Sequence, residues 1–399
     1  MPYQSRSGRG RSSYLAYSSS NHKRRPNNRS QKKYIEPSRF VKAATVSEQA
    51  KYLPTNQFSD FKLDPVLMRN LTAKGYESPS PIQDQVIPAA MAGRDIIGLS
   101  GTGTGKTAAF GLPILQKLLK SRDNKALIIA PTRELAEQIT LEFKELGRGV
   151  DMQSVLLIGG TNIGNQFRAL KRHPRLVIGT PGRIKDHMKR GSLDLKSFNT
   201  VVLDEVDRML DMGFVNDVTF ILSTTDQQRQ SMFFSATIES KVRTLIDTFS
   251  HDPVLVSLQV SSASENVHQD VVRFRTPSDK LEKLHDLLND QQVSKVIVFD
   301  ETQRSVEKLV TELLGRGFSA ASIHGGKTQG QRKRALASFK NNEVTVLVAT
   351  DVAARGIDVA DISHVVNYTI PNDYDDYIHR IGRAGRAGRT GYALTFIAS

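Results

Sequence analysis

From Phe58 onward, short runs of consecutive apolar residues alternate with longer stretches in which apolar positions recur every three or four residues. The runs predict strands at 95–99, 126–130, 155–158, 176–180, 201–205 and 230–235. The periodic stretches predict helices over 106–120, 133–146, 163–172 and 239–249. Such alternation predicts a parallel sheet with helices on both faces. The pattern breaks at residues 257–268, whose small and polar sequence Ser-Leu-Gln-Val-Ser-Ser-Ala-Ser-Glu-Asn-Val-His predicts a linker. It then resumes, with strands at 270–275, 295–299, 320–323, 344–349, 364–368 and 392–397. Helices at 278–289, 302–315, 328–340 and 373–381 separate them. The expectation is an α/β chain of two domains of similar size, 58–256 and 269–399, with no internal sequence repeat.

Residues 1–57 lack this patterning. They hold twelve basic residues against two acidic ones, so most of the net charge of +14 lies in this segment. Rich in Ser, Arg, Gly and Asn, the segment has little to bury and is expected to be disordered. Arginines with Tyr3, Tyr14 and Tyr17 between them suit backbone contact and base stacking on single-stranded nucleic acid. A merely solubilising tail is the alternative. The absence of cysteine excludes disulfides and thiolate metal sites. No apolar run approaches the ~18 residues that span a membrane. The basic N-terminus has no apolar signal core, so a cytoplasmic protein without membrane contact is expected.

The candidate chemistry begins where two of the strands end. After the apolar run Asp95 to Leu99 comes Gly103-Thr104-Gly105-Lys106-Thr107. The phosphate-loop pattern is Gly, four residues, then Gly-Lys-Ser/Thr. Ser100 stands at its first glycine, so the strict pattern is missed by one position. Gly103 and Gly105 let backbone N–H groups approach phosphate oxygens at a helix N-terminus. Lys106 supplies charge to the β- and γ-phosphates, and Thr107 offers a hydroxyl to Mg²⁺. The later run Val201-Val202-Leu203 ends in Asp204-Glu205-Val206-Asp207. Asp204 is expected to hold Mg²⁺, directly or through water, because a hard cation wants carboxylate oxygen. Glu205 beside it belongs to the expected metal set with Thr107 and Asp204, and can orient or deprotonate an attacking water. ATP hydrolysis is the leading expectation.

At these residues the chain resembles the DEAD-box family of ATP-dependent RNA helicases of superfamily 2, in the family's motif order from Phe58 to about Ile397. The resemblance implies two RecA-like domains. Phe58 and Gly75-Tyr76-Glu77-Ser78-Pro79-Ser80-Pro81-Ile82-Gln83 are similar to the Q motif. The Gln83 amide would then read the adenine edge, and Tyr76 would stack on the base. Pro131-Thr132-Arg133-Glu134-Leu135-Ala136, Gly159-Gly160 and Thr180-Pro181-Gly182-Arg183 resemble the RNA-contacting motifs of the first domain. Each follows a predicted strand, at the ligand-binding edge of such sheets. Ser235-Ala236-Thr237 resembles the motif that couples hydrolysis to unwinding, its hydroxyls bonding the acidic motif through Asp207.

In the second half, Val298-Phe299-Asp300, Gln329 with Arg332, and Ala349-Thr350-Asp351 extending to Arg355-Gly356-Ile357-Asp358 match further motifs. The resemblance assigns Gln329, Arg332 and Thr350 to RNA, and Gly356 and Asp358 to the nucleotide. His379-Arg380-Ile381-Gly382-Arg383-Ala384-Gly385-Arg386 is the most specific stretch. It implies arginine fingers at Arg383 and Arg386, and a contact from His379 to the acidic motif. In comparable systems such guanidinium groups contribute roughly 10³–10⁵ in rate. The chain departs from the family at Val206, where alanine is usual, and at Gly101, where glutamine is usual. Lys327 and Lys333 make the Gln329–Arg332 neighbourhood more basic than usual. The compact core and the absence of targeting signals resemble bacterial members more than eukaryotic ones.

The resemblance implies a monomeric RNA-dependent ATPase. It would remodel short duplexes and RNA–protein complexes by reading the RNA backbone. Two alternatives share the motifs: an ATP-gated RNA clamp with little unwinding, and a DNA translocase of the same superfamily. Deleting residues 1–57 should weaken RNA affinity and flatten its dependence on salt. Binding isotherms at several salt concentrations test this, and an unchanged slope would remove the tail from the RNA interface.

Overall fold

The computed structural model describes residues 35–44, 52–101, 103–258, 266–354, 359, 361–385 and 390–399. Two sheets organise them. The first contains β1 (Ile96–Leu99), β2 (Ala126–Ile129), β3 (Ser154–Leu157), β4 (Leu176–Gly179), β5 (Thr200–Leu203), β6 (Gln230–Ser235) and β7 (Val254–Ser257). Their spatial order is β3-β4-β2-β5-β6-β1-β7. The second contains β8 (Val267–Phe274), β9 (Val296–Phe299), β10 (Ala320–Ile323), β11 (Val346–Ala349), β12 (His364–Asn367) and β13 (Gly391–Ala398), in the order β10-β11-β9-β12-β13-β8. Neighbouring strands are parallel in both sheets.

Parallel strands linked by crossover helices are covered on both faces, so the central ones must be apolar throughout. Residues 126–129 show this directly. Ala126 and Ile128 join one core cluster, while Leu127 and Ile129 join the cluster on the opposite face. In the second sheet, Ile297 and Phe299 face one core, and Val296 and Val298 the other. Among the described residues no helix is long and apolar enough to cross a membrane.

The predicted alternation is present, with additions. The helices Pro65–Ala73, Pro81–Met91, Pro181–Lys189, Val206–Asp211 and Val215–Ser223 extend the expected set. Three of them begin with proline, where a missing N–H costs nothing. The expected linker is shorter than 257–268. Ser257 belongs to β7, and Val267 and His268 belong to β8, opposite Gly391 and Tyr392 of β13. Both are edge strands, so outward residues such as His268, Asp270 and Arg273 dilute the apolar pattern.

The expectation of disorder across residues 1–57 is corrected for two described pieces, while residues 1–34 and 45–51 lie outside the described residues. The turn Pro37–Phe40 buries Phe40, and with Ile35 it joins Val267, Tyr377, Ile381, Ala393 and Ile397 in one cluster. The Phe40 and Tyr377 rings meet edge to face at 4.8 Å. The Arg39 guanidinium lies 3.8 Å above the Tyr374 ring. Lys42 N donates to Gln269 O at 3.0 Å and Gln269 N returns to Lys42 O at 2.8 Å, which covers the open edge of β8. The second piece, residues 52–57, docks on Asp84 of the first domain. High charge had concealed the apolar anchors Ile35 and Phe40. Phe40→Ala should remove about 3–5 kcal/mol of packing. Amide exchange should then accelerate at Lys42 and Gln269 while β9 and β11 stay protected; unchanged protection at Lys42 would show that the ring is not the anchor.

Candidate active site between the two sheets

The loop after β1 is held by its own side chains. Thr104 Oγ1 lies 3.1 Å from both Gly101 O and Ser100 Oγ, and Ser100 N donates to Ser235 O at 3.1 Å. Ser100, in place of the first glycine, is therefore a buried strut of the loop. Gly103 and Gly105 take left-handed φ of 81° and 95°. A Cβ at Gly105 would also collide with the Gln83 amide, so only glycine fits there. Lys106 opens the helix Lys106–Lys120, and Thr107 follows on its first turn. The buried Lys106 Nζ donates to Ser100 O at 3.2 Å and lies 3.9 Å from Asp204 Oδ1.

Gln83 sits beside this loop with both polar atoms engaged inside the protein. Its Nε2 donates to Gly105 O at 3.2 Å, and its Oε1 accepts from Ser80 N at 2.9 Å. Ser80 Oγ donates to Thr104 O at 2.8 Å. An amide has two donors and two lone pairs, so capacity for a further partner remains. Phe58 is almost wholly buried and packs edge to face on Phe61 at 6.0 Å and on Tyr76 at 5.9 Å. The Tyr76 ring is half-buried, and its hydroxyl donates to Glu142 Oε1 at 3.2 Å.

Three acids emerge together at the end of β5. Asp204 is buried, and burial pushes its carboxyl up to about 6; Lys106 opposes this, and Glu205 and Asp207 add to it. Glu205 has φ 55°, a left-handed conformation that costs a non-glycine residue about 1–3 kcal/mol. Its Oε2 lies 3.1 Å from Arg208 Nη1, within ion-pair distance but out of line for a hydrogen bond. Asp207 Oδ2 accepts from Ala236 N at 2.9 Å, Thr237 N at 3.0 Å and Thr237 Oγ1 at 3.4 Å. Asp207 N in turn donates to Ser235 Oγ at 3.3 Å. The structure thus brings Asp207, Ser235 and Thr237 into one network. Val206 is fully buried in the core.

The second sheet presents its own carboxyl edge to this cluster. The helix Tyr374–Ile381 carries His379, whose imidazole pKa falls to about 4. Burial is the main cause, followed by the Arg208 charge; Asp207 and Glu205 pull the other way, Asp207 more strongly. His379 therefore lies near the acids of the other sheet and is neutral at pH 7. Arg383 is buried beyond the helix. Arg380 fastens the helix, with Nε and Nη2 donating to the two Asp351 carboxylate oxygens at 2.6 and 2.7 Å. Thr350, just before Asp351, is buried, and its carbonyl accepts from Ala353 N and Ala354 N. Gly356, Asp358 and Arg386, expected at the nucleotide, lie outside the described residues.

The expected RNA contacts divide into two groups. Pro131 is buried and Thr132 caps the helix Arg133–Leu146, accepting from Leu135 N at 3.2 Å. The Arg133 guanidinium lies over the backbone of Gly159 and Gly160, where a side chain on Gly160 would clash. Thr180 precedes the helix that starts at Pro181 and accepts through its carbonyl from Arg183 N and Ile184 N, Gly182 is exposed, and Arg183 donates to Gln166 Oε1 at 3.3 Å. These residues share the carboxyl edge of the first sheet. Gln329 and Arg332 instead face the acids of the helix Arg133–Leu146. Arg332 Nη2 lies 2.9 Å from Glu134 Oε1, and Gln329 Nε2 donates to Glu137 Oε1 at 3.3 Å. The two extra lysines are also paired, Lys333 with Glu137 at 3.0 Å and Lys327 with Glu307 at 2.8 Å.

Sequence reasoning passed over Arg208, Asp84 and the partnership of Glu134 and Glu137 with the second domain. Arg208 had a signal: it stands three residues after Glu205, on the same helical face. The cross-domain pairs had none, because their partners lie far apart in the chain.

A phosphate loop and an acidic motif on one sheet, faced by a helix of the other sheet's domain that carries His379, define a nucleoside triphosphatase built from two RecA-like domains. Residues 80–245 match the family described as DEAD/DEAH box helicase, and residues 279–388 match the helicase conserved C-terminal domain. The chain is 43% identical over 343 residues to the ATP-dependent RNA helicase CshA of Limosilactobacillus reuteri, covering 86% of this chain and 69% of that protein. It is equally identical over 345 residues to the DEAD-box ATP-dependent RNA helicase CshA of Bacillus subtilis, covering 86% and 70%. Saccharomyces cerevisiae Dbp5 bound to RNA and ADP BeF3 superposes with a TM-score of 0.76 at 31% identity, covering 86% of this chain and 90% of that one. The chain belongs to the DEAD-box family of ATP-dependent RNA helicases, of the bacterial type.

Proposed function

We propose that this helicase couples ATP-driven closure of its two domains to local bending and separation of short RNA duplexes. The observation that carries this reading is the acidic cluster at the end of β5, which meets Lys106 on its own domain and His379 from the other. A site divided in this way is complete only when the domains are together. The donor set also fits Mg²⁺. Thr107 and Asp204 offer hard oxygen, and among the described residues no group of three or more His, Cys, Asp or Glu side chains is arranged to hold a metal by itself. Mg²⁺ commonly takes its remaining ligands from water and substrate phosphates. Bound there, Mg²⁺ would neutralise charge on the phosphates.

The residues have separable tasks in this reading. The loop around Gly103, Thr104 and Gly105 and the Lys106 ammonium hold the phosphates. Glu205, kept in place by Arg208, orients the attacking water and takes its proton. Arg383 and Arg386 stabilise charge on the transferring phosphoryl group. Asp207 acts as a relay: its bonds to Ala236 and Thr237 tie the acidic motif to the segment after β6, and His379 listens from across the cleft. Gln329 and Arg332 hold the closed form through Glu134 and Glu137, and Thr132, Arg133, Thr180, Gly182, Arg183 and Thr350 meet the RNA backbone. Gln329 Oε1 is buried without a hydrogen-bond partner among the described residues, which supports a donor from RNA at that point. The 2′-hydroxyl is such a donor, and it separates RNA from DNA. The protein acts as a monomer in this reading, with ribonucleoprotein complexes as targets.

Glu205→Gln should lower turnover by roughly 10²–10⁴ and retain RNA in the presence of ATP. Undiminished turnover would remove Glu205 from the chemistry. ATPase stimulation by RNA and by DNA of one sequence, measured alongside strand displacement, tests the whole reading. RNA should stimulate and DNA should not; stimulation without strand displacement would favour an ATP-gated clamp.

A further inference from the structure

Asp84 stands beside Gln83 on the first turn of the helix Pro81–Met91, and the residue is 2% exposed. No cation pairs with it among the described residues. Instead it gathers four hydrogen bonds from a segment about thirty residues earlier. Oδ2 accepts from the Tyr52 hydroxyl at 2.6 Å and from Thr55 N at 2.7 Å. Oδ1 accepts from Asn56 N at 3.0 Å and from Asn56 Nδ2 at 2.8 Å. Burial pushes this carboxyl up, but the bonds from Tyr52, Asn56 and Thr55 outweigh it, and its pKa lies below the ordinary carboxylate value. The helix N-terminus favours the same charge.

The segment so gathered runs into the turn Phe58–Phe61, whose first ring packs on Tyr76. Gln83, the next residue back along the helix, touches the phosphate loop through Gly105. One helical turn therefore holds the loop by one side chain and the aromatic wall by its neighbour. We propose that Asp84 is a positioning residue for adenine recognition, which sets Phe58 and Tyr76 in register with Gln83 by binding the backbone and side chains of residues 52–56. The proposal rests on the reading of Gln83 as the adenine-reading amide.

A merely structural anchor would lower thermal stability and leave nucleotide preference alone. A positioning residue would raise KM for ATP, lower the preference for ATP over GTP and leave kcat at saturating ATP nearly unchanged. RNA-stimulated ATPase and GTPase of the full chain distinguish these, with thermal melting measured on the same samples. Asp84→Ala, which removes the acceptor of all four hydrogen bonds, should raise KM for ATP by about tenfold. Tyr52→Phe, which removes one bond and keeps the ring, should act in the same direction by about threefold, and serves should the first variant not fold. Gln83→Ala should lower the preference strongly, and less so when Asp84 is already replaced. Folded Asp84 and Tyr52 variants with unchanged preference, beside a Gln83 variant that has lost it, would overturn the positioning role alone. A Gln83 variant with unchanged preference would overturn the adenine reading and this proposal with it.

Discussion

A carboxylate taken out of water must be hydrogen-bonded or paired, or its pKa rises, and the run from Asp204 to Asp207 shows all three outcomes. Asp207 is satisfied by amides from the segment after β6. Glu205 leans on Arg208 without a well-aligned bond. Asp204, nearest to Lys106, is pushed toward protonation. The three environments differ because the neighbouring acids cannot share one cation. The site thus holds unspent charge, which ligands can satisfy. The same constraint operates between the domains, where Glu134 is buried and meets Arg332 of the other half. Removing one partner of such a pair leaves an uncompensated charge, at a cost of about 3–5 kcal/mol.

The sheets make this concentration of charge geometrically possible. Because neighbouring strands run parallel, the loops after β1, β2, β3, β4, β5 and β6 all emerge at one edge. Phosphate loop, Thr132, Gly160, Thr180, the acids and Ser235 are therefore neighbours in space although they span more than a hundred residues of sequence. The second sheet repeats the arrangement with Asp300, Thr350 and the helix carrying His379. A fold that buries every central strand on both faces leaves only this edge for chemistry.

That logic also explains what was legible in the sequence. Central strands such as Val201–Leu203 are uniformly apolar and announce themselves. The edge strands β7 and β8 expose one side, so Ser257, Val267 and His268 read as linker. The anchors Ile35 and Phe40 are two apolar residues in a basic stretch, too few to register as a pattern. At the site, the motifs pointed to the residues proposed to meet ligand, but not to the residues that hold them. Arg380 reads as one more arginine of a basic motif, yet it is a structural clamp on Asp351. Gln83 reads as a free amide, yet both its ends already work inside the protein. Such bonds depend on tertiary approach between distant segments, and no local spacing encodes them.

The two docked pieces of the N-terminal segment change the mechanics of the molecule. Residues 35–44 are seated on the second domain and residues 52–57 on the first, so the chain crosses between the domains twice: once here, and once between Leu258 and Asn266. From Ala44 to Tyr52 a fully extended chain reaches at most roughly 29 Å. A second connection of limited reach bounds how far the two domains can separate while both anchors stay seated, and that bound is set by residues outside either catalytic half.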